Sequence, residues 1–191
     1  MRTPNSLLGV SYIVTSGDFG SGFPVGNCAS FDASFPATCP FVIAVGETEL
    51  IVDAVTEAAW VSSDGGFSNI FQRAKYQDAA VEAYFRTVGA NTSSLFNVSG
   101  CAVPDVSVIC QAPFYFDRTL FEFASTTAIS ASIFASMAAL LTNERIAVGM
   151  SGLEFLNPLI YQNPGAFNEI ATGFNHGCQE LGFSGKIGWD R

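Results

Sequence analysis

Apolar residues fall into short, β-rich runs separated by glycine and serine turns, with one longer helical stretch in the second half of the chain. Leu7 to Val14 is a nearly continuous apolar run of the kind found in a strand buried on both faces, and Phe41 to Val45 is a second. Leu50-Ile51-Val52, Trp60-Val61 and Val106 to Ile109 are shorter candidates, and Phe114 to Phe123 predicts a hairpin. Ala79 to Val88 predicts an amphipathic helix with Val81, Tyr84, Phe85 and Val88 on one side. Ile133, Met137, Leu140 and Leu141 recur at helical spacing and predict a buried helix, and Leu153 to Tyr161 predicts a short one carrying Pro158. Alternating strands and helices favour an α/β fold, and the first run implies a parallel sheet. No linker, repeat or low-complexity tract divides residues 1–191, so one domain is expected.

The long helix opens through a hydroxyl-rich stretch, Ser125 to Ser132, where unpaired N–H groups and the positive end of the helix dipole face whatever sits there. That suits a serine nucleophile, and equally an ordinary Ser/Thr cap. The first strand ends at Thr15-Ser16-Gly17-Asp18, the end at which open α/β sheets place ligands. Asp18 there is a functional carboxylate or an Asx-turn residue. Ser62 to Asn69 is too glycine-rich for helix or strand and reads as a loop. Near the C-terminus, residues 168–173 and 185–190 offer carboxylates and backbone carbonyls that could fold around a hard cation such as Ca²⁺.

Composition narrows the partners. At 191 residues, 49% hydrophobic and 13% charged, the chain can bury one sizeable core. A net charge of −9 with only eight scattered basic residues argues against nucleic acid or an anionic membrane surface. No apolar run is long enough to span a bilayer, and Met1 to Ser6 lacks the features of a signal peptide. Two sequons, Asn91-Thr92-Ser93 and Asn97-Val98-Ser99, point instead to a secretory route. Of five cysteines, Cys28 could pair with Cys39 and Cys101 with Cys110, leaving Cys178 over. With no CxxC pair and His176 the sole histidine, a structural zinc site is not expected.

Seven strings in order then resemble the sedolisins, the serine-carboxyl peptidases, and more narrowly their fungal tripeptidyl-peptidase-like branch. They are SGD at Ser16 to Asp18, FPATCPFVIAVGET at Phe35 to Thr48, GGFSN at Gly65 to Asn69, YQDAAVEAY at Tyr76 to Tyr84, PDVS at Pro104 to Ser107, GLEFLNPLIY at Gly152 to Tyr161, and GWD at Gly188 to Asp190. The resemblance implies a subtilisin-like, doubly wound α/β fold with a mainly parallel sheet. It implies hydrolysis of peptide bonds in peptide or protein substrates by a Ser-Glu-Asp triad, with a further Asp stabilising the oxyanion; Asp18 matches that oxyanion aspartate. Such an Asp donates a hydrogen bond only when protonated, so the chemistry needs acid conditions. It also implies one Ca²⁺ site, with Glu169 where the family usually has Asp, carbonyls from Ile170 and Gly188, and Asp190 as second carboxylate; Lys186 falls where another carbonyl is expected. An extracellular, secreted location follows, with the vacuole or lysosome as alternative.

The pattern breaks at the nucleophile, which in the family lies in GTSAS followed by a small residue and Pro. Gapless alignment back from Ile133 places it at Ala128, with Thr126 for the glycine and Ser132 for the proline. A two-residue deletion would make it Ser130 instead. The gapless register is favoured, because a deletion rotates everything before it by about 200° relative to the helix. The triad Glu and Asp of the family lie upstream of the SGD segment, on a portion that would precede Met1, as does the prosegment. The TGLG segment that follows GWD in the family would come after Arg191. The chain is therefore expected to be the C-terminal half of a catalytic domain, to expose apolar faces, and to be inactive on its own, with the N-terminal half or the prosegment as partner. A non-catalytic relative that binds peptides or a protein partner is the competing reading, and a truncated product without its own function a third.

Overall fold

The computed structural model describes residues 9–21, 31–51, 56–88, 95–177 and 182–186. Its central strand is β2 (Ile43–Leu50), whose first six residues are buried. Parallel to it run β1 (Ile13–Thr15), with Ile13 opposite Ile43, and β6 (Val106–Ile109), with Val106 opposite Val45. The last residues of β2 pair antiparallel with β3 (Glu57–Ala59). Two antiparallel pairs complete the strands described: β4 (Gly66–Gln72) with β5 (Gly100–Val103), and β7 (Ala112–Phe116) with β8 (Thr119–Ala124). The expected α/β class is present, but the sheet is mixed: β1, β2 and β6 are parallel, and the other pairings between the described strands are antiparallel.

Helix α1 (Asp78–Val88) buries Val81 and Tyr84 against Phe67 of β4 and Ala102 of β5. Helix α2 (Thr127–Ala147) and the short α3 (Asn157–Gln162) cover the parallel strands, where Ile43, Val45 and Val106 meet Ala131, Leu156 and Ile160. Apolar side chains on one face of the central strand thus fix where α2 begins.

Several expectations are corrected. The glycine-rich stretch 62–69 is only partly loop, because Gly66 opens β4. A Cβ on Gly100 of the partner strand would meet the Ser68 carbonyl oxygen at 2.1 Å, so glycine here permits close backbone approach at a bulge rather than forbidding a strand. Cys101 and Cys110 form no disulfide with each other: they belong to different sheets, Cys101 on β5 and Cys110 just after β6. Cys28 and Cys178 lie outside the described residues, as does the first sequon. Helix α2 is not buried along its length, since Met137, Leu140 and Leu141 are more than half exposed, at 51%, 67% and 58%. Of the first apolar run, only Ile13 and Val14 lie in a strand among the described residues.

Four of the quoted motifs meet in the core, away from the helix entrance. Asp105 of PDVS is buried and accepts from the Ala44 N–H (2.9 Å), from Gln77 of YQD (3.1 Å) and from the Tyr161 hydroxyl of LIY (2.9 Å). Burial pushes its carboxyl up to about 6 even though those bonds oppose the shift.

Candidate active site

Four segments converge at the N-terminus of α2: the turn after β1, the second half of β2, the end of β6 and residues 125–130. Thr126 is the N-cap, in extended conformation, its side chain facing the Ala128 N–H at 3.3 Å. Asp18 reaches the same turn from β1. Its Oδ2 accepts from the Thr126 hydroxyl (2.7 Å), and its Oδ1 accepts from the Thr127 N–H (2.8 Å) and hydroxyl (2.9 Å). A carboxylate thus closes the positive end of the helix, where dipole and orphan N–H groups favour negative charge. Thr127 is fully buried, and its hydroxyl also meets the Thr15 hydroxyl and accepts from the Gly17 N–H at 3.2 Å. Gly17 must be glycine: it has φ +118, and a Cβ there would stand 2.1 Å from Asp64 Oδ2.

The two candidate nucleophile positions face opposite ways, as 200° of helical rotation between them requires. Ala128 is exposed, on the turn that carries the Thr126 and Thr127 contacts to Asp18. Ser130 is fully buried and donates to the Val108 carbonyl of β6 at 2.9 Å, so its hydroxyl is spent on the sheet.

Two further carboxyls lie beneath this entrance. Glu47, on β2, is 1% exposed; its Oε1 accepts from the Ser125 hydroxyl, while its Oε2 has no partner. Burial pushes it up to about 7, opposed by Ser125 and assisted by the negative charges of Asp18 and Glu49. Asp64, from the loop before β4, is equally buried and accepts from the Phe19 N–H (2.5 Å) and the Ser34 hydroxyl (2.9 Å). Burial pushes it up to about 6 against those bonds, with Asp18 again adding to the rise. Glu47 and Asp64 share the lining of one small cavity, of about 30 Å³, with Ser63, Trp60, Pro104 and Phe183. Neither was singled out from the sequence. The signal was there for Glu47: a carboxylate in the middle of the apolar string FVIAVGETEL.

No protein-family profile matches the chain. Tripeptidyl-peptidase sed1 of Aspergillus fumigatus is 37% identical over 214 residues, covering 96% of this chain and 33% of the relative. Aorsin of Aspergillus oryzae is 34% identical over 96% of this chain and 33% of its own length. Among solved structures, Pseudomonas sedolisin, a serine-carboxyl proteinase, superposes on 97% of this chain and 54% of its own with a TM-score of 0.71 at 21% identity, which shows the fold. Sequence and structure together support the sedolisin family, in its fungal tripeptidyl-peptidase-like branch. The chain spans about a third of the length of these two relatives.

Against the sedolisin pattern, the described residues bring Asp18 and Ala128 to one helix turn and send Ser130 inward. Of the expected Ca²⁺ donors, Glu169 is exposed and Ile170 buried, while Gly188 and Asp190 lie outside the described residues. A Cβ on Gly185 would stand 3.3 Å from the Ile170 carbonyl oxygen and 2.5 Å from that of Thr172. Backbone carbonyls therefore crowd a side-chain-free position, a donor chemistry that suits a hard cation. Among the described residues, no group of three His, Cys, Asp or Glu side chains could hold a metal. No helix among them is long and apolar enough to cross a membrane.

Proposed function

We propose that the α2 entrance is the oxyanion side of a peptide site of the serine-carboxyl peptidase type, working on peptide or protein substrates under acid conditions. The observation that carries this is Asp18, tied through both oxygens to the first residues of α2. Protonated on Oδ2, the carboxyl would become a donor, its proton free for an oxyanion once the Thr126 hydroxyl rotates away. A developing oxyanion beside Ala128 would then meet a donor already positioned.

Ala128 stands at the nucleophile's place in the gapless alignment. A methyl group cannot attack a carbonyl, so this chain is read as binding peptides at the entrance without the acid hydrolysis of its relatives. The buried, sheet-bound hydroxyl of Ser130 supports that register over the gapped one. Glu169, Asp190 and the carbonyls of Ile170 and Gly188 would hold Ca²⁺, which would tie the C-terminal loops together. The secreted or vacuolar location of such enzymes fits the second sequon, Asn97-Val98-Ser99.

A fluorogenic tripeptide substrate assayed from pH 3 to pH 8 tests the reading. Saturable binding without turnover at acid pH is expected. Acid turnover abolished by Ser130→Ala would overthrow the gapless register.

A further inference from the structure

We propose that Ser125, with Glu47 as its base, is a nucleophilic site of this chain, one that takes acyl and phosphonyl electrophiles in place of the position occupied by Ala128. The proposal rests on reading the α2 entrance as a peptide site. Its basis is a selection among the hydroxyls gathered there. Ser130 donates to a backbone carbonyl of the sheet, and Ser132 and Ser136 donate to carbonyls one turn back along α2; none of these acceptors can take a proton. Thr126 does donate to a carboxylate, Asp18, but that carboxylate is also held twice by Thr127, and the Thr126 oxygen serves as the helix cap.

Ser125 differs on each count. It is exposed, it precedes the helix, and its hydroxyl donates to Glu47 Oε1. Glu47 is nearly inaccessible to solvent and makes no second bond, since Oε2 is buried without a partner. Such a carboxylate has little to lose by taking a proton, which is what a general base for a serine must do. The groups facing Glu47 are Asp18 from the turn after β1, Glu49 on β2, Cys110 after β6 and Ser125 itself; none is cationic, so nothing among them neutralises its charge.

With a peptide bond, the Ser125 oxygen would form a bond to the carbonyl carbon while its proton passes to Glu47 and the carbonyl electron pair moves onto oxygen. Collapse breaks the C–N bond, the proton returns from Glu47 to the leaving amine, and water releases the acyl group by the same route. With a fluorophosphonate, the oxygen bonds to phosphorus, fluoride leaves and Glu47 keeps the proton. Because Glu47 must be ionised to accept, and burial has pushed it up to about 7, this site works towards neutral pH, opposite to the acid requirement of Asp18.

The test is labelling of the full 191-residue chain by an alkyl fluorophosphonate at pH 5 and pH 8, mapped by peptide mass spectrometry. An adduct on Ser125 that rises more than tenfold between the two pH values is expected. It should be lost in Ser125→Ala and in Glu47→Gln, each checked for folding by thermal melting, and kept in Ser136→Ala. If a variant does not fold, the pH ratio of the unaltered chain decides by itself. No adduct on Ser125, or one independent of pH or of Glu47, overturns the proposal. Tripeptide binding at pH 4.5 separates the two readings: binding without an adduct sinks the dyad alone, whereas an adduct without binding sustains the nucleophile and removes peptides as its substrate.

Discussion

The two ends of α2 have similar apolar content and opposite surroundings. At the first turns, Thr127, Ser130 and Ala131 are buried and the hydroxyls are tied to Asp18, Glu47 and the sheet. Four turns on, Leu140 and Leu141 are 67% and 58% exposed, and Ile146 is 58% exposed. The difference is one of support. The parallel strands β1, β2 and β6 lie under the entrance, whereas Met137 and Leu141 border an apolar groove with Leu153, Leu159 and Phe167 that no described residue fills. Polar residues at the start of the helix are thus fixed by tertiary contacts, and apolar residues further along are not. Large exposed apolar patches of this kind mark interaction surfaces.

The contrast is broken most sharply by cutting into each end. Ile43→Ala, beneath the entrance, is expected to cost about 2–5 kcal/mol, since the cavity adds to the lost transfer energy. Leu140→Ala, at the far end, is expected to stay within about 0.5 kcal/mol. Urea denaturation of both variants checks this, and equal losses would mean the far end is packed after all.

Acidity should sharpen it next. Glu47, about 7 in the folded chain against an ordinary 4.5, and Asp64, about 6 against 3.8, hold their protons more tightly folded than unfolded. Their contribution is therefore complete below the unfolded values. It is lost as pH rises through about 6 and 7, at a limiting slope of about 1.4 kcal/mol per pH unit for each group. Melting temperature is expected to fall between pH 4 and pH 8, and Glu47→Gln should flatten the upper part of that fall. A midpoint that rises over this range would contradict the buried placement of both carboxyls.

Smaller effects follow at the cap and on the open face. Thr126→Ala removes the N-cap oxygen and one Asp18 contact, and about 1 kcal/mol of stability is expected to go with them. Leu140→Ser combined with Leu141→Ser should leave the melting temperature nearly unchanged while reducing self-association in sedimentation velocity runs. Unaltered association would show that the exposed face is not what makes the chain adhere.

Strands and helices were legible in the sequence where burial and periodicity agree: β6 spans Val106–Ile109 as expected, and α1 begins one residue before the expected Ala79. Periodicity misled at α2, because Ile133, Met137, Leu140 and Leu141 describe a face that wants covering and say nothing of whether anything covers it. Composition misled at residues 62–69, where Gly65 and Gly66 make room for the side chains of Asn175 and Phe183 rather than breaking the strand. At the site, Asp18 was visible from its place at a strand end. Glu47 left a trace, a carboxylate inside an apolar string, but Asp64 left none, because its importance lies in the contacts of Phe19, Ser34 and Gly17 around it. The PDVS, YQD and LIY strings marked the chain's kinship, yet Asp105, Gln77 and Tyr161 turn out to hold one another in the core.

On the proposed reading, Asp18 makes the α2 entrance a peptide site. Calorimetric titration of the intact chain with an unreactive tripeptide at pH 4.5, against the Asp18→Ala variant, tests it most directly. Saturable binding, weakened at least tenfold in Asp18→Ala, is expected; equal binding by the two proteins, or none by the unaltered chain, would rule it out.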